Sequence, residues 1–331
     1  MKKNIAVVGA TGMVGKNMIS ILNERNFPVD SIFFFSSKRS SGTILKFKDK
    51  DIVVEELTEE SIKNKKIDIA LMGAGGDGSD GEISLKFAPV FVKNGAVVID
   101  NSSAFRMDES VPLVVPEVNK EDIKLNKGII ANPNCSTIQA MLVLKPLLDK
   151  YGINRIVYST YQSVSGAGLN GVNDLLNGEK GEAPKKFPHP IHENLIPHID
   201  AFLENGYTKE EMKMINETRK ILHSKELKIT ATCVRVPVLY SHSESINVEL
   251  KSSFELKDIF ELFRKQRGVT LLDDTSMGIY PTPKIAEGKD DVFVGRIRRD
   301  ESIENGLNLW VVSDNVRKGA ALNAIQIAEL L

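Results

Sequence analysis

The stretch GATGMVG (Gly9–Gly15) constrains this chain more than any other. It follows the apolar run Ile5–Val8 and precedes Asn17–Asn23, where apolar residues recur at helical spacing. Glycines between a strand and a helix permit a tight turn and let backbone approach a pyrophosphate. The helix N-terminus then offers unpaired N–H groups to the anion. The spacing is GxxGxxG, a variant of GxGxxG, so a glycine turn in an unrelated α/β protein stays open at this point. Apolar runs at Ser31–Phe35, Ile67–Met72, Ala96–Asp100 and Gly128–Ala131 continue the alternation. That pattern predicts a Rossmann-like, doubly wound parallel sheet with ligands outside the strands' carboxyl ends.

After Asn134 the texture changes. Arg155–Thr160, Leu227–Pro237 and Ser245–Leu250 alternate or carry β-branched residues, as half-buried antiparallel strands do. Gly166–Pro197, rich in Gly, Pro and Asn, reads as one long functional or interface loop. Leu309–Ser313 reads as a strand, and Gly319–Leu331 as a closing amphipathic helix. The 331 residues suffice for two domains. The expected division is a Rossmann-like domain over 1–133 and 315–331, with an α+β domain on a mainly antiparallel sheet inserted over 134–314.

Composition removes several classes. Lys plus Arg number 43 against 44 Asp plus Glu, which argues against a general nucleic-acid binder. The first apolar run is too short and too glycine-interrupted for a signal peptide or membrane span. Two cysteines, Cys135 and Cys233, leave no disulfide framework or Cys-rich zinc site, and imply a reducing, cytoplasmic setting.

An NAD site usually places an acid at the end of the second strand to hold the ribose 2′-hydroxyl. Here that strand runs into Ser36, Ser37, Lys38, Arg39 and Ser40. Hydroxyls and cations suit a 2′-phosphate, so the segment favours NADP; a solvated basic loop is the alternative. Gly73 opens a glycine- and aspartate-rich run to Gly81, either a close approach to the cofactor or a surface turn.

NPNCST puts Cys135 at or beside the start of a helical pattern, Ile138–Leu148, that Pro146 is expected to bend. A helix N-terminus favours thiolate, and its N–H groups suit an oxyanion. Cys233, in a strand-like run, reads as a buried apolar residue. A thiolate beside a nicotinamide suggests a thioester to or from which hydride moves. His242, read as lying in a polar turn between strands, is the best proton carrier; an ordinary surface histidine is the alternative. His189, His192 and His198 lack a helical HExxH arrangement and are threaded with prolines, so no metal is expected.

Seven motifs carry a resemblance: GATGMVG, DNSSAFR, NPNCST, YQSVSGAG, EEMKMINETRKI, RVPVLYSHSE and SDNVRKGAALNAI, between residues 9 and 325. In this order the chain resembles the aspartate-semialdehyde dehydrogenase family. The resemblance implies NADP-dependent interconversion of aspartyl phosphate and aspartate semialdehyde by a homodimer, with small-molecule partners and neither nucleic acid nor membrane. It makes 134–314 the catalytic and dimerisation domain. It assigns Cys135 as nucleophile, His242 as acid/base and Gln162 as the orienting group. Arg106 and Lys213 would bind phosphate, with Asn134 beside the cysteine, Arg235 on the α-carboxylate and Glu210 on the α-amino group. For the cofactor it points to Gly9, Thr11, Gly12, Met13, Val14, Arg39, Ser40, Ser165, Gly166 and Asn315.

Residue chemistry agrees with these assignments. Arginine grips a carboxylate bidentately, whereas lysine supplies a point charge to phosphate. Glu210 and Lys213 share a face if their segment is helical, where an exposed ion pair is the alternative. The run 75–81 and the His192–Asn194 segment depart from the family pattern. N-acetyl-glutamyl-phosphate reductase, glyceraldehyde-3-phosphate dehydrogenase and a nucleotide-binding regulator that has lost the chemistry are the competing readings.

Overall fold

Short runs of Val, Ile, Leu and Phe, buried on both faces, build the first of two sheets. The computed structural model describes residues 1–73 and 81–331; the sequence reading of 74–80 lies outside them. The chain forms two units, residues 1–133 with 320–331, and residues 134–319.

In chain order the first unit contains β1 (Lys3–Val8), α1 (Met13–Glu24), β2 (Val29–Ser36), β3 (Ile44–Phe47), β4 (Lys50–Glu56) and α2 (Glu59–Lys63). There follow β5 (Ile69–Met72), α3 (Glu82–Lys93), β6 (Val97–Asp100), α4 (Pro116–Asn119) and β7 (Ile129–Ala131). The sheet order is β3-β4-β2-β1-β5-β6-β7, parallel except for the β3–β4 pair. Ile5, Val7, Ile69 and Leu71 pack with α1 and residues 321–328 on one face. Ala6, Val8, Ala70 and Met72 pack with Phe87 and Phe91 of α3 on the other. Covering both faces is what a parallel sheet requires. The sequence reading missed β3 and β4. They form the sheet edge, where charged residues such as Lys46, Asp51 and Glu55 break up the apolar pattern.

The second unit contains α5 (Cys135–Tyr151), β8 (Ile153–Gln162), α6 (Gly168–Gly178), α7 (Lys209–Ile221), β9 (Lys228–Arg235), β10 (His242–Leu250) and α8 (Leu256–Lys265). After these come β11 (Val269–Leu271), α9 (Pro283–Ala286), β12 (Val292–Asp300) and β13 (Gly306–Ser313). Its sheet, β11-β12-β13-β10-β8-β9, is mixed. β12–β13, β13–β10 and β10–β8 are antiparallel, while β11–β12 and β8–β9 are parallel. The chain then returns to the first unit in α10 (Leu322–Ala328), entered through a π-helical turn at residues 317–321.

Three local readings are corrected. Gly166–Pro197 is not one loop, because α6 occupies 168–178, where burial of Val172 and Leu175 outweighs its poor helix formers. The helical pattern read over Ile138–Leu148 is longer, because α5 runs from Cys135 through Pro146 to Tyr151. His242 is not in a turn, since it is the first residue of β10 and fully buried.

Candidate active site

At the carboxyl end of β1, side chains give way to backbone. Gly9 has φ +75°, and its carbonyl accepts the Gly12 N–H at 2.9 Å. The N–H groups of Gly9 and Ala10 both donate to the Phe35 carbonyl, at 2.8 and 3.1 Å. A Cβ on Gly15 would lie 2.2 Å from the Gly9 oxygen, so only glycine lets α1 approach this closely. Gly73 packs behind it; a Cβ there would meet the Gly15 nitrogen at 3.2 Å. Gly12 caps α1 with no side-chain hydrogen bond, followed by Met13 and Val14 in the first turn. That end offers backbone donors to an anion, as a dinucleotide's pyrophosphate requires. Thr11 shares a 2.9 Å hydrogen bond with Ser36 at the end of β2. Arg39 and Ser40 lie in a 3₁₀ turn directly beyond, with Arg39 exposed.

Beyond β6, Asp100 organises the DNSSAFR loop. Its carboxylate accepts hydrogen bonds from Ser84 Oγ at 2.6 Å and Ser102 Oγ at 2.7 Å. Arg106, buried, donates through Nη2 to the Asn101 carbonyl at 2.9 Å.

The second unit builds its site from buried polar side chains. Asn134 caps α5: its Oδ1 accepts the Ser136 N–H at 2.9 Å, and its own N–H donates to Glu217 at 2.7 Å. Cys135 is therefore the first residue of the helix, half-buried. The chain passes tightly beside it at Gly319, where a Cβ would come 2.9 Å from the Cys135 Cβ. Sheet register supplies the rest. β8 and β9 pair Gln162 with Arg235, and β10 and β13 pair His242 with Ser313. One step down lie Cys233, Thr160 and Glu244.

Glu210 joins the helices to this row. Its Oε1 accepts from Asn134 Nδ2 at 2.8 Å and Gln162 Nε2 at 3.0 Å, and its Oε2 from Lys213 at 3.2 Å. Lys213 also donates to Asp200 at 2.7 Å. The surface ion pair considered for Glu210 and Lys213 is thus half right, since Glu210 is buried. Burial pushes its carboxyl up, but Lys213, Gln162, Asn134 and Arg235 together hold it down to about 2.

His242 Nδ1 accepts the Ser163 N–H at 3.0 Å, which leaves the proton of the neutral ring on Nε2. Nε2 is buried without a hydrogen-bond partner. Burial, reinforced by the Arg235 charge, pushes the imidazole down to about 3, so it is neutral at ordinary pH. Gly166 lies against Nε2: a Cβ there would stand 3.1 Å from it and 2.9 Å from Arg235 Nη1. Ser163, Ser165 and the Ser241 N–H all donate to Asn315 Oδ1, at 3.1, 3.2 and 2.9 Å. Ser241, immediately before His242, is held at φ +73°. Such strain persists only where surrounding bonds determine it.

Arg235 donates through Nη1 to the Ser163 carbonyl at 2.7 Å. Burial lowers its pKa, opposed by Glu210 and by the charge of Cys135. Burial pushes the Cys233 thiol up, so it is an inert core residue, in keeping with its strand position. Sequence reasoning missed Ser163, Glu217, Gly319 and Glu244. All four sit inside quoted motifs, but the partners of Ser163 and Glu217 are 79 and 83 residues away.

A dinucleotide cradle on a parallel sheet, and a second unit with His, Gln and Arg at its strand ends and a Cys at a helix start, mark a nicotinamide-dependent oxidoreductase acting on carbonyl chemistry. Residues 4–126 match the family model described as semialdehyde dehydrogenase, NAD binding domain, and residues 144–318 that described as semialdehyde dehydrogenase, dimerisation domain. The aspartate-semialdehyde dehydrogenase of Aquifex aeolicus is 54% identical over all of this chain and 98% of its own length. The crystal structure of aspartate semialdehyde dehydrogenase II from Vibrio cholerae complexed with ASA superposes with a TM-score of 0.94 at 46% identity, covering 100% of this chain and 98% of that one. The Candida albicans enzyme with NADP gives 0.76 at 28% identity, with the same coverage. The chain belongs to the aspartate-semialdehyde dehydrogenase family.

Proposed function

We propose that this chain catalyses the reversible, NADP-dependent reductive dephosphorylation of L-4-aspartyl phosphate to L-aspartate 4-semialdehyde, through a thioester on Cys135. The product feeds biosynthesis of the aspartate-family amino acids: lysine through diaminopimelate, threonine, methionine and isoleucine. The observation that carries the reading is the trio of Cys135 at a capped helix N-terminus, His242 with an unpartnered Nε2–H, and the side-chain-free Gly166 against it.

Cys135 thiolate attacks the acyl carbon, forming the C–S bond as the C–O bond to phosphate breaks and phosphate leaves with the electron pair. The positive end of the α5 dipole favours the carbonyl oxygen as it takes up charge, while the Ser136 and Thr137 amides stay on the Asn134 cap. NADPH, when bound, supplies the hydride that reduces the thioester carbon. His242 Nε2–H hydrogen-bonds the oxyanion that the hydride creates and keeps its proton on the ring as the C–S bond breaks, the electron pair returns to Sγ and the aldehyde forms. A neutral imidazole suits this role, because a permanently charged ring would hold the oxyanion and slow collapse. Gln162 orients the intermediate.

Arg235 takes the α-carboxylate and Glu210, already ionised, the α-ammonium. Lys213 and Arg106 take the phosphate; Lys213 must then exchange part of its pairing with Asp200 and Glu210 for the ligand. The glycine cradle at Gly9–Gly15 and Gly73, with Thr11, Ser36, Arg39 and Ser40, is read as the NADP site. Ser165, Gly166 and Asn315 are read as further cofactor-binding residues. The ASA and NADP named for the Vibrio and Candida relatives support these choices. The chain is read as a cytoplasmic homodimer; no helix among the described residues is long and apolar enough to cross a membrane, and the second unit matches a dimerisation domain.

The test is NADP reduction by aspartate semialdehyde with and without phosphate, with NAD and N-acetyl-glutamate semialdehyde alongside. Phosphate-dependent NADPH formation from the free-amine aldehyde, absent in Cys135→Ala although NADPH still binds, is the expected result. Turnover without phosphate, or preference for the acetylated aldehyde, contradicts it.

A further inference from the structure

Asp174 of α6 is a buried carboxylate spent on backbone. Its Oδ1 accepts the Lys185 N–H at 2.9 Å, and its Oδ2 those of Lys186 and Phe187 at 2.7 and 2.9 Å. Three consecutive amides drawn onto one buried carboxylate fix the main chain there, because releasing any of them leaves that charge under-satisfied. The side chains of Lys185 and Lys186 remain exposed, whereas that of Phe187 turns inward. Its ring centroid lies 5.8 Å from Arg235 Cζ, within cation–π range, and its Cζ would stand 3.1 Å from a Cβ on Gly171. Further along, Ile196 and Arg235 exchange both backbone hydrogen bonds, at 2.8 and 3.0 Å. The segment from 185 to 196 is thus a strap over Arg235, pinned at one end by Asp174 and at the other by a two-bond bridge.

The guanidinium is held by the Ser163 carbonyl at Nη1 and packed by the Phe187 ring, while its buried Nε has no hydrogen-bond partner. A planar fork so constrained has donors to spare in one orientation only. We propose that Phe187, fixed by Asp174, is a positioning residue that pre-orients Arg235 for bidentate capture of the substrate's α-carboxylate, and so helps select amino-acid semialdehydes over aldehydes lacking that group. This rests on the reading of Arg235 as the carboxylate ligand.

The experiment measures kcat and the KM values for aspartate semialdehyde, phosphate and NADP in Phe187→Ala, Phe187→Tyr, Asp174→Asn, Arg235→Lys and the Phe187→Ala/Arg235→Lys double variant. Phe187→Ala is expected to raise the semialdehyde KM about tenfold, leaving kcat and the other two KM values within about twofold. Phe187→Tyr should keep the wild-type KM. Asp174→Asn, which turns an amide NH₂ toward one of the three N–H groups, should shift KM in the same direction. In the double variant the Phe187 effect should vanish, because the fork it orients is gone. An unchanged KM in Phe187→Ala, with Arg235→Lys strongly raised, overturns the strap alone. So does an effect that simply adds in the double variant, or that spreads to phosphate and NADP. An unchanged KM in Arg235→Lys overturns the carboxylate assignment itself.

Discussion

The two sheets prepare their edges by opposite means. At the end of β1 the first unit takes side chains away: Gly9, Gly12, Gly15 and Gly73 bring backbone close against backbone at the start of α1. The second unit fills its edge instead, with Arg235, Gln162, His242 and Ser313 on four adjoining strands and Glu210 reaching in from α7. A cradle made of main chain binds a group that many enzymes share. An edge made of buried charges sets its own protonation states: Glu210 is held down by its cationic and amide partners, and His242 is kept neutral by burial. Cofactor generality and chemical particularity are thus housed in different materials.

The same small substitution should break the two regions differently. Gly15→Ala drives a Cβ to 2.2 Å from the Gly9 oxygen, a backbone clash that neither side can relieve by rotation. It is expected to destabilise the fold by about 3 kcal/mol and to abolish NADPH binding, seen as a lower Tm and lost fluorescence transfer on titration. Gly166→Ala meets Arg235 Nη1 at 2.9 Å and the His242 ring at 3.1 Å. A side-chain end can shift there, so Tm should hold while kcat falls about a hundredfold, equivalent to about 2.7 kcal/mol of transition-state stabilisation. Equal losses of Tm in both variants would erase the contrast.

A subtler effect concerns the row beneath His242. Burial pushes the Glu244 carboxyl well above the ordinary range, with only the neighbouring Gln139 amide opposing it. Its oxygens and both polar atoms of the Gln139 side chain are buried without good hydrogen-bond geometry. A group raised on folding contributes stability that is full below about pH 4.5 and declines as pH rises toward its folded value. Wild-type Tm should therefore drop between pH 5 and pH 8 by more than that of Glu244→Gln, measured by calorimetry. Glu210, held low, has the reverse sign: its contribution is full above about pH 4.5 and is lost toward pH 2. Parallel pH slopes in Glu244→Gln and wild type would mean that the carboxyl ionises freely where it sits.

How much was legible follows the same division. The glycine turn, the apolar strands and the placing of Cys135 at a helix start are local, and the described residues carry each of them. The β3–β4 hairpin was hidden because an edge pair needs little burial, and α6 because packing outweighed its glycines and asparagines. His242 was misplaced for a different reason. Its burial comes from pairing with Ser313 and from a bond to Ser163, 71 residues beyond it and 79 before, which no local pattern reports. The motifs quoted for the family resemblance held that information without the register that explains it.

The central claim is a covalent acyl group on Cys135, and a single turnover tests it most directly. Aspartate semialdehyde and NADP would be mixed with the enzyme without phosphate, and NADPH followed alongside the mass of the cysteine-containing peptides. Cys135 thiolate adds to the aldehyde, the resulting alkoxide, hydrogen-bonded by His242 Nε2–H, gives hydride to NADP, and a thioester is left behind. One NADPH per site in a burst, an aspartyl group on the Cys135 peptide and its release on adding phosphate are the expected result. Continuous turnover without phosphate, or an acyl group found on Cys233 or on neither cysteine, would contradict it.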